Sequence, residues 1–131
     1  MTLRVELVSP EQVLFEGEAD MVVCRTLGGG DIAFLTGHAA FLGALGIWPV
    51  RVIGPQGEVA FACHGGFVQV DGTKVVILSD VAELPDQIDV PRAEAARARA
   101  EAALNANPDD TEAQDARARA EVRLMVAGAR V

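Results

Sequence analysis

The 131-residue chain is poor in the side chains that metal, disulfide and nucleic-acid chemistry require. It has two cysteines, Cys24 and Cys63, and two histidines, His38 and His64. A structural zinc site wants paired ligands two to four residues apart. Only adjacent Cys63-His64 comes close, and on a strand their side chains take opposite faces, so no metal is expected. Both cysteines lie in strand-like runs with no export signal before them, so reduced, buried thiols are expected rather than a bridge. Positive charge is also scarce: the formal net charge is −8, and residues 1–87 hold only Arg4, Arg25, Arg51 and Lys74. Nucleic-acid binding draws on clustered Lys and Arg, so such a partner is excluded, and docking on anionic lipid is disfavoured. A basic partner suits the acidic body.

Long apolar runs are missing too. The most apolar stretch, Phe41 to Ile53, is broken by Gly43, Gly46, Pro49 and Arg51 and does not read as a membrane span. The N-terminal Met1 to Glu6 alternates like a strand and carries no targeting segment, so a soluble cytoplasmic protein is expected. There is no Gly-x-Ser-x-Gly elbow, and no His-x-His group followed by Glu. Ser9 precedes a proline and Ser79 ends a strand-like run, which suits structural roles. Gly28-Gly29-Gly30 is followed by neither Lys nor a helical pattern, so it reads as a hairpin turn rather than a phosphate loop. An enzyme is not expected.

What the chain does have changes abruptly near residue 85. All six aromatics (Phe15, Phe34, Phe41, Trp48, Phe61 and Phe67) precede that point, and so do all glycines except Gly128. Up to Asp80 the apolar period is two: Leu3, Val5 and Leu7; Val13 and Phe15; Val22 and Cys24; Val59, Phe61 and Cys63. The apolar run Val75 to Leu78 reads as a strand covered on both faces. Turn signals fall between the runs at Ser9-Pro10, Gly28 to Asp31, Thr36-Gly37, Gly54 to Gly57, Gly65-Gly66 and Asp71-Gly72. Short strands with this spacing indicate an antiparallel β-sandwich, residues 1–87, which should fold alone.

Residues 88–131 are rich in alanine, arginine and glutamate, with little that is large and apolar. Asp89 reads as an N-cap with Pro91 in the first turn, and a helix is expected from about Val90 to Leu104. Asn105 to Pro108 breaks it, and Asp109 with Glu112 resembles a capping box for a second helix that frays near Gly128. The short connection makes the pair an antiparallel two-helix hairpin. Its seam is mainly alanine, Ala93, Ala96, Ala100 and Ala103 against Ala113, Ala116, Ala120 and Leu124. Each buried methyl contributes on the order of 0.8 kcal/mol, so the hairpin is a candidate mobile element. The fold class is therefore mainly β with α.

Three segments carry a more specific signal. They are Gly30 to Leu45, containing Gly37-His38-Ala39; His64 to Val70, entered by Gly65-Gly66; and Val75 to Ala82, ending in Asp80-Val81-Ala82. Together they resemble the epsilon subunit of F-type ATP synthases, over the whole chain and in the same β-then-α order. Ala33, Thr36 and Ala40 depart from the family's glycine and prolines, and Gly46 to Pro49 replaces a usual Pro-Gly turn; these bear on loop conformation rather than membership.

The resemblance implies a non-catalytic rotor subunit in the central stalk of a proton-translocating enzyme. Its sandwich would be clamped to the gamma subunit with its lower edge on the membrane c-ring. Its hairpin would reach toward the alpha and beta subunits and regulate ATP hydrolysis. Asp31 and His38 would lie near arginine-bearing loops of the ring; read alone, they are a turn residue and a satisfied loop histidine. The location implied is peripheral, on the cytoplasmic face of a bacterial inner membrane, held there only through the complex. Ile88-Asp89-Val90-Pro91-Arg92-Ala93 matches an Ile-Asp-x-x-Arg-Ala motif that helps bind regulatory ATP in some bacterial members; no other cofactor is implied. Arg92 and Arg99 share a face of the first helix, and Arg119 and Arg123 lie one turn apart on the second. Folded together, these guanidiniums could converge on phosphates. Without a ligand, Asp89 is a cap and the arginines a solvated face. The alternative class is a free-standing β-sandwich sensor of a small ligand or nucleotide.

Overall fold

The computed structural model describes residues 2–128. Eight strands precede two helices: β1 (Leu3–Val8), β2 (Val13–Ala19), β3 (Met21–Arg25), β4 (Asp31–Leu35), β5 (His38–Gly54), β6 (Gly57–Gly72), β7 (Lys74–Leu78) and β8 (Ala82–Glu83), then α1 (Val90–Ala106) and α2 (Thr111–Gly128). The hydrogen-bonded order is β2-β1-β7-β6-β5-β3-β4, with β8 beside β6. Every ladder is antiparallel except β1 with β7, which is parallel.

Strand length departs from expectation: β5 has 17 residues and β6 has 16. Their pairing turns one continuous ladder into a two-layer sandwich. On β6 the core-facing residues are Phe61 and Cys63 before Gly65-Gly66, but Val68 and Val70 after it. On β5 the change falls at the partner level, Leu45 on one side of Gly46 and Val50 and Val52 on the other. The face presented to the core switches at this corner, so each long strand serves both layers. Gly65-Gly66 and Gly46 to Pro49 are therefore bends inside strands, not the turns between strands that the sequence suggested. Gly66 has φ +124°, and an added Cβ there would lie 2.1 Å from the Leu78 carbonyl oxygen. Only glycine fits that position. Ser79, nearly fully buried, clamps the corner: its Oγ lies 2.8 Å from the Gly65 oxygen and 2.9 Å from the Val81 oxygen.

The core comes from both layers: Leu3, Val5, Leu7, Val75 and Ile77 on one side, Val22, Phe34, Val50 and Phe61 on the other. Phe15 bridges to Phe61 with ring centroids 5.1 Å apart. All of this main core lies within residues 3–77. The run Val75 to Leu78 is not covered on both faces. Val75 and Ile77 are buried, whereas on the other face Val76 is half-buried and Leu78 is 45 % exposed.

Asp89 caps α1 as expected, its Oδ1 accepting from the Arg92 N–H at 3.2 Å. At α2 the expected cap shifts by one residue. Asn107 Oδ1 takes the Asp109 N–H to form the turn, which leaves Asp110 to accept from the Ala113 N–H at 3.0 Å. The helix accordingly begins at Thr111. The alanine seam is present, with Ala93, Ala100, Ala113 and Ala120 buried. Val122 and Val126 do something the sequence did not announce: they pack on Ala62, with Ile47, Ala60 and Ile88 around them. The small Ala60 and Ala62 on the outer face of β6 are what let α2 lie close to the sheet.

Candidate functional site

The five residues of the expected nucleotide site come together. Asp89, Arg92, Arg99, Arg119 and Arg123 line one cavity of about 330 Å³ between the two helices, with Glu83 and Gln87 at its sandwich side and Ala93, Ala96 and Ala116 as its floor. Four arginines face two carboxylates, so the cavity is positive within a chain whose net charge is −8. Small alanines at the helix crossing leave the space into which the guanidiniums project.

Two of the five are already engaged. The Asp89 carboxylate is held by the α1 N-terminus, as described above. Arg123 Nε donates to Glu83 Oε1 at 2.7 Å, tying α2 to β8. The same Glu83 oxygen lies 2.8 Å from His64 Nε2 on β6. Burial alone would push the Glu83 carboxyl up, but the hydrogen bonds from Arg123 and His64 reverse this and hold it below the usual glutamate value. Burial, with Arg123 and Arg119 nearby, pushes the His64 imidazole below its ordinary value despite Glu83. His64 and Glu83 were not foreseen as site residues. Arg123 and Glu83 are 40 positions apart, and no local spacing announces such a pair.

Asp31 and His38 are not brought together. Asp31 starts β4, and His38 starts β5 just past the turn at the other end of β4, so the strand's length of roughly 13 Å lies between them. Asp31 accepts from Arg25 Nε at 3.0 Å, and the Arg25 guanidinium stacks 3.4 Å over the Trp48 ring. His38 packs edge-on to Phe34, ring centroids 4.9 Å apart, with Nδ1 2.7 Å from the Ala39 oxygen. The two thiols are buried on the core side, and burial pushes Cys24 up to about 12 and raises Cys63 as well. Among the described residues, no helix is long and apolar enough to cross a membrane.

Comparison with known proteins defines the class of this β-sandwich and its docked helical hairpin. Residues 2–85 match the family model described as ATP synthase, Delta/Epsilon chain, beta-sandwich domain. The chain belongs to the ATP synthase epsilon chain family. It is 47 % identical over 104 residues to the epsilon chain of Brevibacillus brevis, covering 78 % of this chain and 77 % of that one. It is 41 % identical over 129 residues to the epsilon chain of Streptomyces avermitilis, covering 98 % and 97 %. Among solved structures, its fold matches a chain of the Euglena gracilis mitochondrial ATP synthase OSCP/F1/c-ring assembly, with TM-score 0.72 at 21 % identity over 97 % of this chain and 78 % of that one. A chain of the Tetrahymena thermophila mitochondrial ATP synthase central stalk and c-ring matches with TM-score 0.53 at 16 % identity, over 66 % and 69 %. The free-standing sensor class finds no support among these relatives.

Proposed function

We propose that the chain is a non-catalytic rotor subunit of a proton-translocating ATP synthase, peripheral on the cytoplasmic face of a bacterial inner membrane. Its sandwich links the gamma subunit to the c-ring, and its hairpin restrains ATP hydrolysis when it leaves the sandwich and reaches toward the alpha and beta subunits. ATP opposes that release by stabilising the docked form. The observation that carries this reading is the arginine cavity, because both helices supply guanidiniums to it only while they lie side by side. Planar guanidiniums suit polyphosphate oxygens, and Arg92, Arg99 and Arg119 have no hydrogen-bonded or ionic side-chain partner among the described residues. A ligand shifts such an equilibrium only through its differential affinity for the two arrangements.

Calorimetric titration of ATP into the full chain tests the nucleotide arm. Binding with a rise in melting temperature is expected, and both should vanish when Arg92 and Arg123 are replaced together by Gln. No heat and no melting shift at millimolar ATP would remove the nucleotide and leave the hairpin as a brace. The ring arm rests on Asp31. Asp31→Lys puts a second cation beside Arg25, so it should repel any arginine presented by the ring and uncouple hydrolysis from proton pumping. His38→Ala should do less, since it removes a contact without adding a repulsion. Normal pumping in the assembled Asp31→Lys enzyme would show that this end of β4 faces solvent.

A further inference from the structure

We propose that His64, Glu83 and Arg123 form a latch that holds the hairpin against the sandwich more tightly while the imidazole is neutral, so that acidification favours release of the hairpin. Three elements meet at one carboxylate oxygen: β6 through His64, β8 through Glu83 and α2 through Arg123. An ionised carboxylate only accepts, so the proton of the neutral imidazole must sit on Nε2. That leaves Nδ1 bare. The His64 side chain is only 5 % exposed, and Nδ1 is buried with no hydrogen-bond partner among the described residues.

A second proton would have to enter at that nitrogen. It would create a buried N–H donor with no acceptor and a full positive charge close to two guanidiniums. The surroundings offer little to offset it. Glu83 carries a single negative charge and already pairs Arg123. From α2, Arg123 and Arg119 both act against the proton. Across β5 the partner is the apolar Ile47. From α1 and its cap, Asp89, Arg92 and Arg99 line the same cavity as Glu83, and two of those three are again positive.

Undocking reverses each of these conditions. β8 stays paired to β6, so His64 keeps Glu83, but it gains water at Nδ1 and loses Arg123 and Arg119. The undocked form therefore binds the proton more tightly than the docked form. By linkage, docking is fully supported above the ordinary imidazole value of 6.5 and weakens as pH falls below it. The docking constant should fall by up to about tenfold between pH 7.5 and 5.5, if the docked imidazole stays neutral there. Glu83 remains ionised across this window, since its own value is held below 4.5.

Nucleotide-free full-length protein tests the latch. The two imidazoles are followed by NMR, and hydrogen exchange of the α2 amides is measured across the same pH range and corrected for intrinsic rates. The expected result is a His64 titration below 6.5, with α2 protection falling up to about tenfold as pH drops and core amides such as Val68 unchanged. In His64→Gln, whose amide N–H can still reach Glu83 but does not titrate, α2 protection should stay flat. Flat α2 protection in the unmodified chain through the His64 titration would overturn the latch. So would an equal fall in His64→Gln, or an imidazole that titrates at or above 6.5 with the hairpin docked. The imidazole titration and exchange of the unmodified chain decide the matter even if the variant folds poorly. None of these readouts uses ATP, so the latch stands or falls independently of the nucleotide site.

Discussion

Docking of the hairpin should depend on two valines. Val122 and Val126 are 1 % and 2 % exposed, and they are the only large side chains of α2 that are fully buried against the sheet. Replacing each with alanine removes two methyl groups, about 1.6 kcal/mol apiece on transfer alone. The pair together should weaken docking by about 3 kcal/mol, or roughly a hundredfold, with somewhat more if the surface of β6 does not collapse onto the gap. None of that cost falls on the sandwich, whose core lies within residues 3–77. Hydrogen exchange on full-length protein separates the two: α2 amides should lose about two decades of protection while Val68, Val70 and Val75 keep theirs. An unchanged α2 would show that the alanine seam or the Glu83–Arg123 pair carries docking instead. An equal loss in both regions would show that the hairpin and sandwich unfold as one unit.

Other perturbations follow from the same packing. A chain ending at residue 87 should keep a cooperative thermal transition, and loss of that transition would mean the helices belong to the core. Gly66→Ala should cost about 3 kcal/mol or more in urea unfolding, since it combines a left-handed φ with a Cβ driven into the Leu78 carbonyl. Gly30→Ala, where an added Cβ meets nothing, should cost far less. Neither thiol should react with an aromatic disulfide reagent in folded protein at pH 8, because burial keeps both protonated, whereas both should react in denaturant.

Much of this could be read along the chain. Period-two runs place Leu3, Val5, Val22 and Phe61 in the core, the turn signals at Gly28-Gly29-Gly30 and Thr36-Gly37 fall between strands, and Asp71-Gly72 ends β6 where the chain turns into β7. Asp89 as a cap and the alanine seam are equally local, since a cap and a helix face are set by neighbours three or four residues away. Local patterning failed where one strand serves two layers. Gly65-Gly66 looks the same as a hairpin turn in sequence, and only the pairing of β6 with both β5 and β7 makes it a corner. It failed similarly at Val75 to Leu78, because an apolar run does not say whether a second layer will cover it.

The division follows from the range of the forces. Composition and periodicity by themselves determined a β body with a weakly held α-helical tail, because backbone propensity and burial of one face act over a few residues. The resemblance in the Gly37-His38-Ala39 region pointed to the family, and the comparisons place the chain in it. The convergence of Arg92, Arg99, Arg119 and Arg123 needed the helix crossing as well as the helix faces. The joining of His64, Glu83 and Arg123 needed the docked hairpin itself. Groups 19 and 40 positions apart meet only when α2 has found the small face of β6, and that is a decision of tertiary packing, made by Ala60, Ala62, Val122 and Val126 rather than by the charged residues it brings together.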